Sequence, residues 1–268
     1  MSETTGISWT EHTMNFWWGC QKVSPGCDHC YAERLSERFG REFTTPWRTS
    51  KANWDKVRLW DYQAALTGKA IHVFVNSMSD FFDLRVPAEW REEAWSLMCR
   101  AKHLRWQVLT KRPGLMAHWA LTHPWPDHIW AGTSVESAKY LPRLDVLARV
   151  PAKVRFVSCE PLLGPLDLRP WMGCTECHDN DARDTLCACG NLVDPTNGAD
   201  PRDLDWVIIG GESGPDEVRR EMRLEWLEDI VSQCQAAGVP VHVKQDSGRL
   251  PGLQGRIPDR LWALKEKP

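Results

Sequence analysis

Long hydrophobic runs are absent from the sequence. Its apolar stretches, for example 71–75 and 206–209, are far too short to cross a bilayer. The first five residues are polar and acidic, without the basic and then apolar segments of a signal peptide. The charge is nearly balanced, at a formal net −3, so the chain has no overall attraction to nucleic acid or to an anionic membrane. These absences predict a cytoplasmic protein without a membrane partner.

Tyrosine is scarce, with 3 residues, whereas tryptophan and cysteine are abundant, with 16 and 10. We expect most of the tryptophans to pack in the core and a minority to stack on a planar ligand. Because cytoplasmic thiols stay reduced, the cysteines indicate metal or redox chemistry and not disulfide bonds. Cys99 and Cys234 lie on apolar faces of predicted helices and are expected to be buried.

Short β-rich segments alternate with helical ones along most of the chain. Strands are predicted at 71–76, 106–110, 129–133, 154–159, 206–210 and 239–244, with a further strand near 14–18. Helices are predicted at 32–39, 88–101, 135–150 and 224–237. This alternation is typical of parallel βαβ units. About seven strands predict an α/β fold, a TIM-like parallel β/α barrel, full or partial, formed as a single domain by residues 1–268.

A cysteine-rich insert interrupts this pattern. The interval from 159 to 210 holds about 50 residues, whereas a βα unit takes about 30. The excess coincides with 171–201, which is poor in apolar residues. Two close cysteine pairs in this insert predict a zinc site, or alternatively a second iron–sulfur cluster: Cys174, Cys177, Cys187 and Cys189. Zinc would also explain how a segment with so few apolar residues becomes ordered.

Polar and charged residues follow the predicted strands. In a parallel barrel the carboxyl ends of all strands share one face, where active sites lie. We therefore expect these side chains to contact a ligand or each other, although ordinary polar loops are the alternative. The residues are Ser77, Asp80, Lys111, Arg112, Ser134, Glu136, Cys159, Glu160, Glu212 and Lys244.

Three cysteines lie close together before the first of the long helices. Six residues separate Cys20 from Cys27, and two separate Cys27 from Cys30. Three thiolates leave one iron of a [4Fe–4S] cluster without a protein ligand. The alternatives are a zinc site, with His29 or His12 as the fourth ligand, and three unligated thiols.

Several motifs spread over nearly the whole chain resemble a known family. The three-cysteine loop after a first strand resembles the radical S-adenosylmethionine (SAM) superfamily, and distantly the spore photoproduct lyase branch. More closely, the sequence resembles a phage-associated, radical-SAM-like family of unknown function. The motifs are Trp9-Thr10, Asn15, 19–33, Ser77-Met78-Ser79-Asp80, 109–113, Ser134-Val135-Glu136, Cys159-Glu160-Pro161 and 210–213.

The chain departs from the superfamily pattern in three ways. Six residues stand between the first two cysteines where three are usual, and His29 occupies the usual aromatic position. The Gly-Gly-Glu triplet that meets the SAM amino group follows the second strand in typical members. Here Gly210-Gly211-Glu212 follows the sixth strand, so that role is not transferred to Glu212.

The resemblance implies an enzyme that cleaves SAM reductively and abstracts hydrogen from a substrate. It implies a [4Fe–4S] cluster on Cys20, Cys27 and Cys30, SAM as ligand, and an electron donor such as flavodoxin or ferredoxin. Its catalytic residues would be Cys159, Glu160, Lys111 and Arg112. Its SAM or substrate contacts would be Ser77, Asp80, Ser134, Glu136, Glu212 and Lys244.

Two questions stay open at the level of sequence. Cys159 is either a packed core thiol or a hydrogen-atom donor, as in the spore photoproduct lyase branch. We hypothesise that the substrate is a nucleotide or a nucleic-acid base, because of the Lys111-Arg112 pair and the phage association. The competing class is a non-catalytic, zinc-stabilised nucleic-acid-binding or accessory protein on a degenerate barrel.

Overall fold

The computed structural model describes residues 5–173 and 204–268. Its strands are β1 His12–Met14, β2 Trp17–Trp18, β3 Trp47–Arg48, β4 Ile71–Val75, β5 Leu104–Thr110, β6 Ile129–Ser134, β7 Arg155–Cys159, β8 Trp206–Gly210 and β9 Val241–Gln245. Seven of them form one parallel sheet in the order β1-β4-β5-β6-β7-β8-β9, and β2 and β3 form a small antiparallel pair.

Helices connect the strands and cover one face of the sheet. They are α1 Tyr31–Arg38, α2 Lys51–Thr67, α3 Ala88–Arg100, α4 Pro113–Ala120, α5 Pro142–Leu147, α6 Leu224–Ala237 and α7 Asp259–Trp262. Alternate strand residues such as Val73, Val108 and Val207 face these helices and form the main hydrophobic core with them. Burial on both faces explains why the strands are nearly continuous apolar runs.

The other face of the sheet is concave and is filled by aromatic side chains. Trp9 packs there with Phe74, Phe156 and Trp206, with ring centroids 4.6 to 6.5 Å apart. Gly132 makes room for this cluster, because a Cβ at that position would lie 2.3 Å from the Phe156 ring. The aromatic cluster forms the floor of the cavity described below.

The sheet is an open, curled half-barrel, so the partial barrel is confirmed and the closed TIM-like form is wrong. β1 and β9 are its two edges and do not pair with each other. The segment after α7 occupies the β9 edge instead: the Val243 amide donates to Leu264 O at 2.9 Å, and the Glu266 amide donates to Val241 O at 3.1 Å. Its Lys267 then pairs with Glu11 beside β1. This segment satisfies the backbone groups of the β9 edge, which a closed barrel would satisfy by strand pairing.

The predicted strands match the observed ones closely, and the helices match in part. The predicted strand near 14–18 is two strands, β1 and β2. The predicted helix at 135–150 is broken into a 3-10 turn, Ala138–Tyr140, and the short α5, because Pro142 has no amide hydrogen to continue a helix. Helices α2, α4 and α7 were not predicted.

Most of the predicted insert at 171–201 lies outside the described residues, including Cys174, Cys177, Cys187 and Cys189. Within the ranges that are described, no helix combines the length and the apolar character needed to span a bilayer.

Candidate functional site

A cavity opens at the carboxyl edge of the parallel sheet, above the aromatic floor. Ile7, Trp9, Phe74 and Leu109 form its apolar base. Its walls come from the cysteine loop and from the segments that follow the strands. Among the residues predicted from sequence, those lining it are Cys20, Cys27, Cys30, Ser77, Asp80, Lys111, Arg112, Ser134, Glu160, Glu212 and Lys244.

The cysteine loop enters the site from β2. Gly19, at φ +100°, lies so close to the backbone of 43–46 that a Cβ would be 2.9 Å from Thr45 O. The Cys20 amide then donates to Phe43 O at 3.0 Å. A 3-10 turn, Pro25–Cys27, follows, and α1 begins immediately after Cys30. The turn and the helix place the three sulfurs along one cavity.

Burial opposes the ionisation of two of the three thiols. Burial, with the charge of Asp80, raises the pKa of Cys20 to about 12, so its thiol holds its proton until a cation displaces it. Burial also raises the pKa of Cys30, but backbone amides of Glu33 and Ala32 and the charge of Lys111 oppose this. These amides belong to the N-terminal turn of α1, where a negative charge is favoured.

The three thiols fit the ligand set of a [4Fe–4S] cluster in number and in hydrogen-bond donors, but they are not gathered around one point. Within residues 5–173 and 204–268, no three His, Cys, Asp or Glu side chains are close enough together to form a metal site. Both histidines that were considered as a fourth zinc ligand have other partners. His29 hydrogen-bonds Glu212 at 3.0 Å, and His12 stacks on Trp60 with ring centroids 4.3 Å apart.

Two buried carboxylates lie behind the cysteine loop. Asp80 accepts hydrogen bonds from the Thr110 hydroxyl at 2.7 Å and from the Lys111 amide at 3.1 Å. Asp83, which was not predicted, accepts from the Gln21 amide at 3.1 Å and pairs with Arg85. Burial alone would raise the pKa of Asp83, but the hydrogen bonds of Arg85 lower it below its usual value.

Arg112 joins the loop to both carboxylates. Its Nη1 is 3.6 Å from Cys20 Sγ and 3.0 Å from Asp80, and its Nη2 is 2.8 Å from Gln21 O and 3.2 Å from Asp83. The predicted contact of Arg112 with SAM or substrate therefore competes with four contacts inside the protein.

A second set of contacts fixes the other end of the loop. The Glu212 carboxylate accepts from His29 and from the Arg220 amide, at 3.0 and 2.8 Å, and pairs with the Arg220 guanidinium. Burial would raise the pKa of Glu212, but the hydrogen bonds of Arg220 and His29 lower it. Arg220 also donates to Pro25 O at 2.9 Å. Arg220 was not predicted, because nothing in its local sequence points to a site 195 residues away.

The remaining charged side chains of the cavity differ in their partners. Glu160 and Lys244 form an ion pair at 2.5 Å. Lys111 has no ion-pair or hydrogen-bond partner for its ammonium group among the residues that the structure describes, and its charge acts on Cys30. Among the described residues that line the cavity, Lys111 is thus a cationic side chain that is available to an anionic ligand.

Two predicted site residues do not line the cavity. Glu136 is fully buried, pairs with Arg143 at 2.9 Å and lies beneath Gly26 of the cysteine loop. Cys159 is also fully buried, in the core between sheet and helices, and burial raises its pKa well above the usual value. This placement of Cys159 fits the packing alternative.

Two other residues of the site were given no role from the sequence. Asn76 follows β4 with φ +57°, and its Oδ1 accepts the Phe16 amide at 2.9 Å. The Tyr31 hydroxyl donates to Ser77 O at 2.6 Å. A polar residue at a strand end was a usable signal for Asn76, whereas Tyr31 carried none beyond its place after Cys30.

No curated protein matches the sequence. A variant of spore photoproduct lyase with bound AdoMet and dinucleoside spore photoproduct is 12% identical, with 85% of this chain and 62% of that chain covered and a TM-score of 0.46. Another variant of the same lyase is 12% identical, with 93% and 80% covered and a TM-score of 0.47. The chain thus spans less than two thirds of the first of these structures. The model of the family described as "Protein of unknown function (DUF5131)" matches residues 4–253, and the chain belongs to this family.

Proposed function

We propose that the protein is a radical SAM enzyme in which Cys20, Cys27 and Cys30 bind a [4Fe–4S] cluster beside the cavity. The observation that carries this proposal is that three free thiols of one loop line a single cavity at the carboxyl edge of a parallel sheet. Three thiolates leave one iron available to the amino and carboxylate groups of SAM. A bound cluster would supply the electron for reductive cleavage of SAM, with methionine as the leaving group, and so the chemistry for hydrogen abstraction from a substrate.

The residues of the chain bind and orient the reactants. The apolar base at Trp9, Phe74 and Leu109 excludes water from the end of the cavity and offers aromatic surface to a planar group. Lys111 is available to a carboxylate or a phosphate. These features support a nucleotide or a nucleic-acid base as the substrate. Ser77, Ser134 and the Glu160–Lys244 pair lie on the walls, where they contact SAM or this substrate.

The electron comes from a reduced protein such as flavodoxin or ferredoxin. Cys20, Cys27 and Cys30 are each partly exposed, and the neighbouring Tyr31 is 46% exposed. A cluster at this position would lie near the surface, within reach of such a donor. The reduced thiols and the oxygen-sensitive cluster agree with a cytoplasmic location.

Anaerobic reconstitution tests the cluster. The protein should become brown, with absorbance near about 400 nm and about four irons per chain. A triple variant with Cys20, Cys27 and Cys30 replaced by Ala should bind no iron. Cys99→Ala is the matched control, because Cys99 lies on α3 and does not line the cavity. A colourless protein that takes up zinc on these cysteines would instead support the non-catalytic, zinc-stabilised binding protein.

A further inference from the structure

Arg112 links the cysteine loop to the two buried carboxylates behind it. It is only 11% exposed. Its two terminal nitrogens make four contacts: two with the loop, at Cys20 Sγ and Gln21 O, and two with the carboxylates of Asp80 and Asp83. A planar guanidinium can serve four acceptors at once, which a lysine ammonium cannot do in this geometry.

The two carboxylates make a rigid support for Arg112. Asp80 and Asp83 are both buried. Asp80 is held by Thr110, and Asp83 is held by Arg85 and by the Gln21 amide. Hydrogen bonds between charged groups in a partly buried setting are stronger than neutral ones, so the position of Arg112 is well determined.

We infer that Arg112 is a positioning residue, which fixes the first cysteine of the loop and donates a hydrogen bond to its sulfur, and does not contact SAM or substrate. This inference rests on the proposed function, since the sulfur is that of a proposed cluster ligand. The hydrogen bond has a second consequence. It stabilises extra negative charge on the sulfur, and so it raises the reduction potential of the cluster.

Amide hydrogen exchange in the iron-free protein tests the positioning role without any cluster. The amides of Cys20 and Gln21 donate to Phe43 O and to Asp83. In Arg112→Lys they should exchange about tenfold faster, because the loop loses charge-assisted hydrogen bonds. Arg260→Lys is the control. Arg260 on α7 pairs with Glu228 on α6 and makes no hydrogen bond to the cysteine loop or to Asp80 or Asp83, so the loop should exchange as in the wild type.

Each result of this experiment decides the question. Unchanged exchange of the loop in Arg112→Lys would overturn the inference. Equal acceleration in the loop and in β6 would also overturn it, because Arg112 would then act only on global stability.

The reduction potential tests the hydrogen bond to sulfur. The midpoint potential of the reconstituted cluster, measured by an EPR-monitored titration, should be lower in Arg112→Gln than in the wild type and unchanged in Arg260→Lys. Equal potentials in the wild type and Arg112→Gln would remove this part of the inference. If the wild type binds no iron, the proposed function fails, and the exchange experiment still decides whether Arg112 positions Cys20.

Discussion

Gly26 of the cysteine loop lies directly on the buried carboxylate of Glu136. A Cβ added at Gly26 would come within 3.2 Å of both Cδ and Oε1 of Glu136. The carboxylate has little freedom to move, because Glu136 is fully buried and its other oxygen pairs with Arg143. The contact explains why the loop needs a residue without a side chain between its first two cysteines.

Replacing this glycine should therefore destabilise the protein. We expect Gly26→Ala to lower the free energy of unfolding by about 1–3 kcal/mol, the usual range for overpacking. Urea denaturation measures the change. Gly114→Ala is the control, because Gly114 lies in α4 with no atom within 4 Å of the added Cβ, and it should be neutral or slightly stabilising. A Gly26→Ala variant as stable as the wild type would show that the loop is not packed on Glu136.

His242 should make the stability depend on pH. Burial, helped by the charges of Lys265 and Lys267, lowers its pKa to about 3. In the unfolded chain His242 takes up a proton below about pH 6.5, whereas in the folded protein it takes one up only near pH 3. Protonation therefore favours the unfolded chain, and the free energy of unfolding decreases as the pH falls from about 6.5 towards 3. The loss from this group between pH 7 and pH 5 should be about 2 kcal/mol.

The measurement is urea denaturation at pH 7 and at pH 5, for the wild type and His242→Gln. Glutamine keeps a polar group opposite Ser8, whose hydroxyl is 2.8 Å from His242 Nε2. The variant should lose about 2 kcal/mol less than the wild type over this interval. Parallel pH dependence in the two proteins would contradict the low pKa of His242.

Cys159→Ala tests the role of the buried thiol. If Cys159 only packs between sheet and helices, Cys159→Ala should lower the free energy of unfolding by about 1 kcal/mol. The variant should still bind iron and turn over substrate. Cys234→Ala, on α6 in the same core, should behave similarly. If Cys159→Ala alone folds, binds iron and cleaves SAM but fails to form product, the thiol is a hydrogen-atom donor.

The cysteine-rich insert remains a prediction from sequence. Elemental analysis should find about one zinc per chain, retained in the triple variant of the N-terminal cysteines. Zinc should be lost from the double variant Cys174→Ser, Cys177→Ser. Zinc and thermal stability that are unchanged in this double variant would show that the insert is not a metal site.

The sequence predicted the strands well because both sides of each strand are buried. Short, continuous apolar runs such as Trp206–Gly210 are typical of the strands of a parallel sheet that is covered on both faces. Closure of the sheet was not predictable, because it depends on whether the β1 and β9 edges meet. Here the C-terminal segment at Leu264 occupies the β9 edge. Helix α2 was missed because exposed apolar residues such as Leu59 and Leu66 obscure the buried stripe of Trp54, Val57, Trp60 and Ala64.

The composition of the cavity wall was also predictable, whereas the pairing within it was not. Because the carboxyl ends of parallel strands share one face, the sequence alone predicted that Asp80, Arg112 and Glu212 lie together. The sequence could not show that Arg112 contacts Cys20, 92 residues earlier, or that Arg220 forms an ion pair with Glu212. Such pairs depend on loop conformations that carry no periodic signal, so residues predicted as ligand contacts turned out to have partners within the protein.

Reductive cleavage of SAM is the most direct test of the proposed function. The reconstituted wild type, given SAM and dithionite without any substrate, should form 5′-deoxyadenosine, detected by mass spectrometry. The triple variant of Cys20, Cys27 and Cys30 should form none, and Cys99→Ala should match the wild type. A wild-type protein that carries about four irons per chain and yet yields no 5′-deoxyadenosine would contradict the assignment as a radical SAM enzyme.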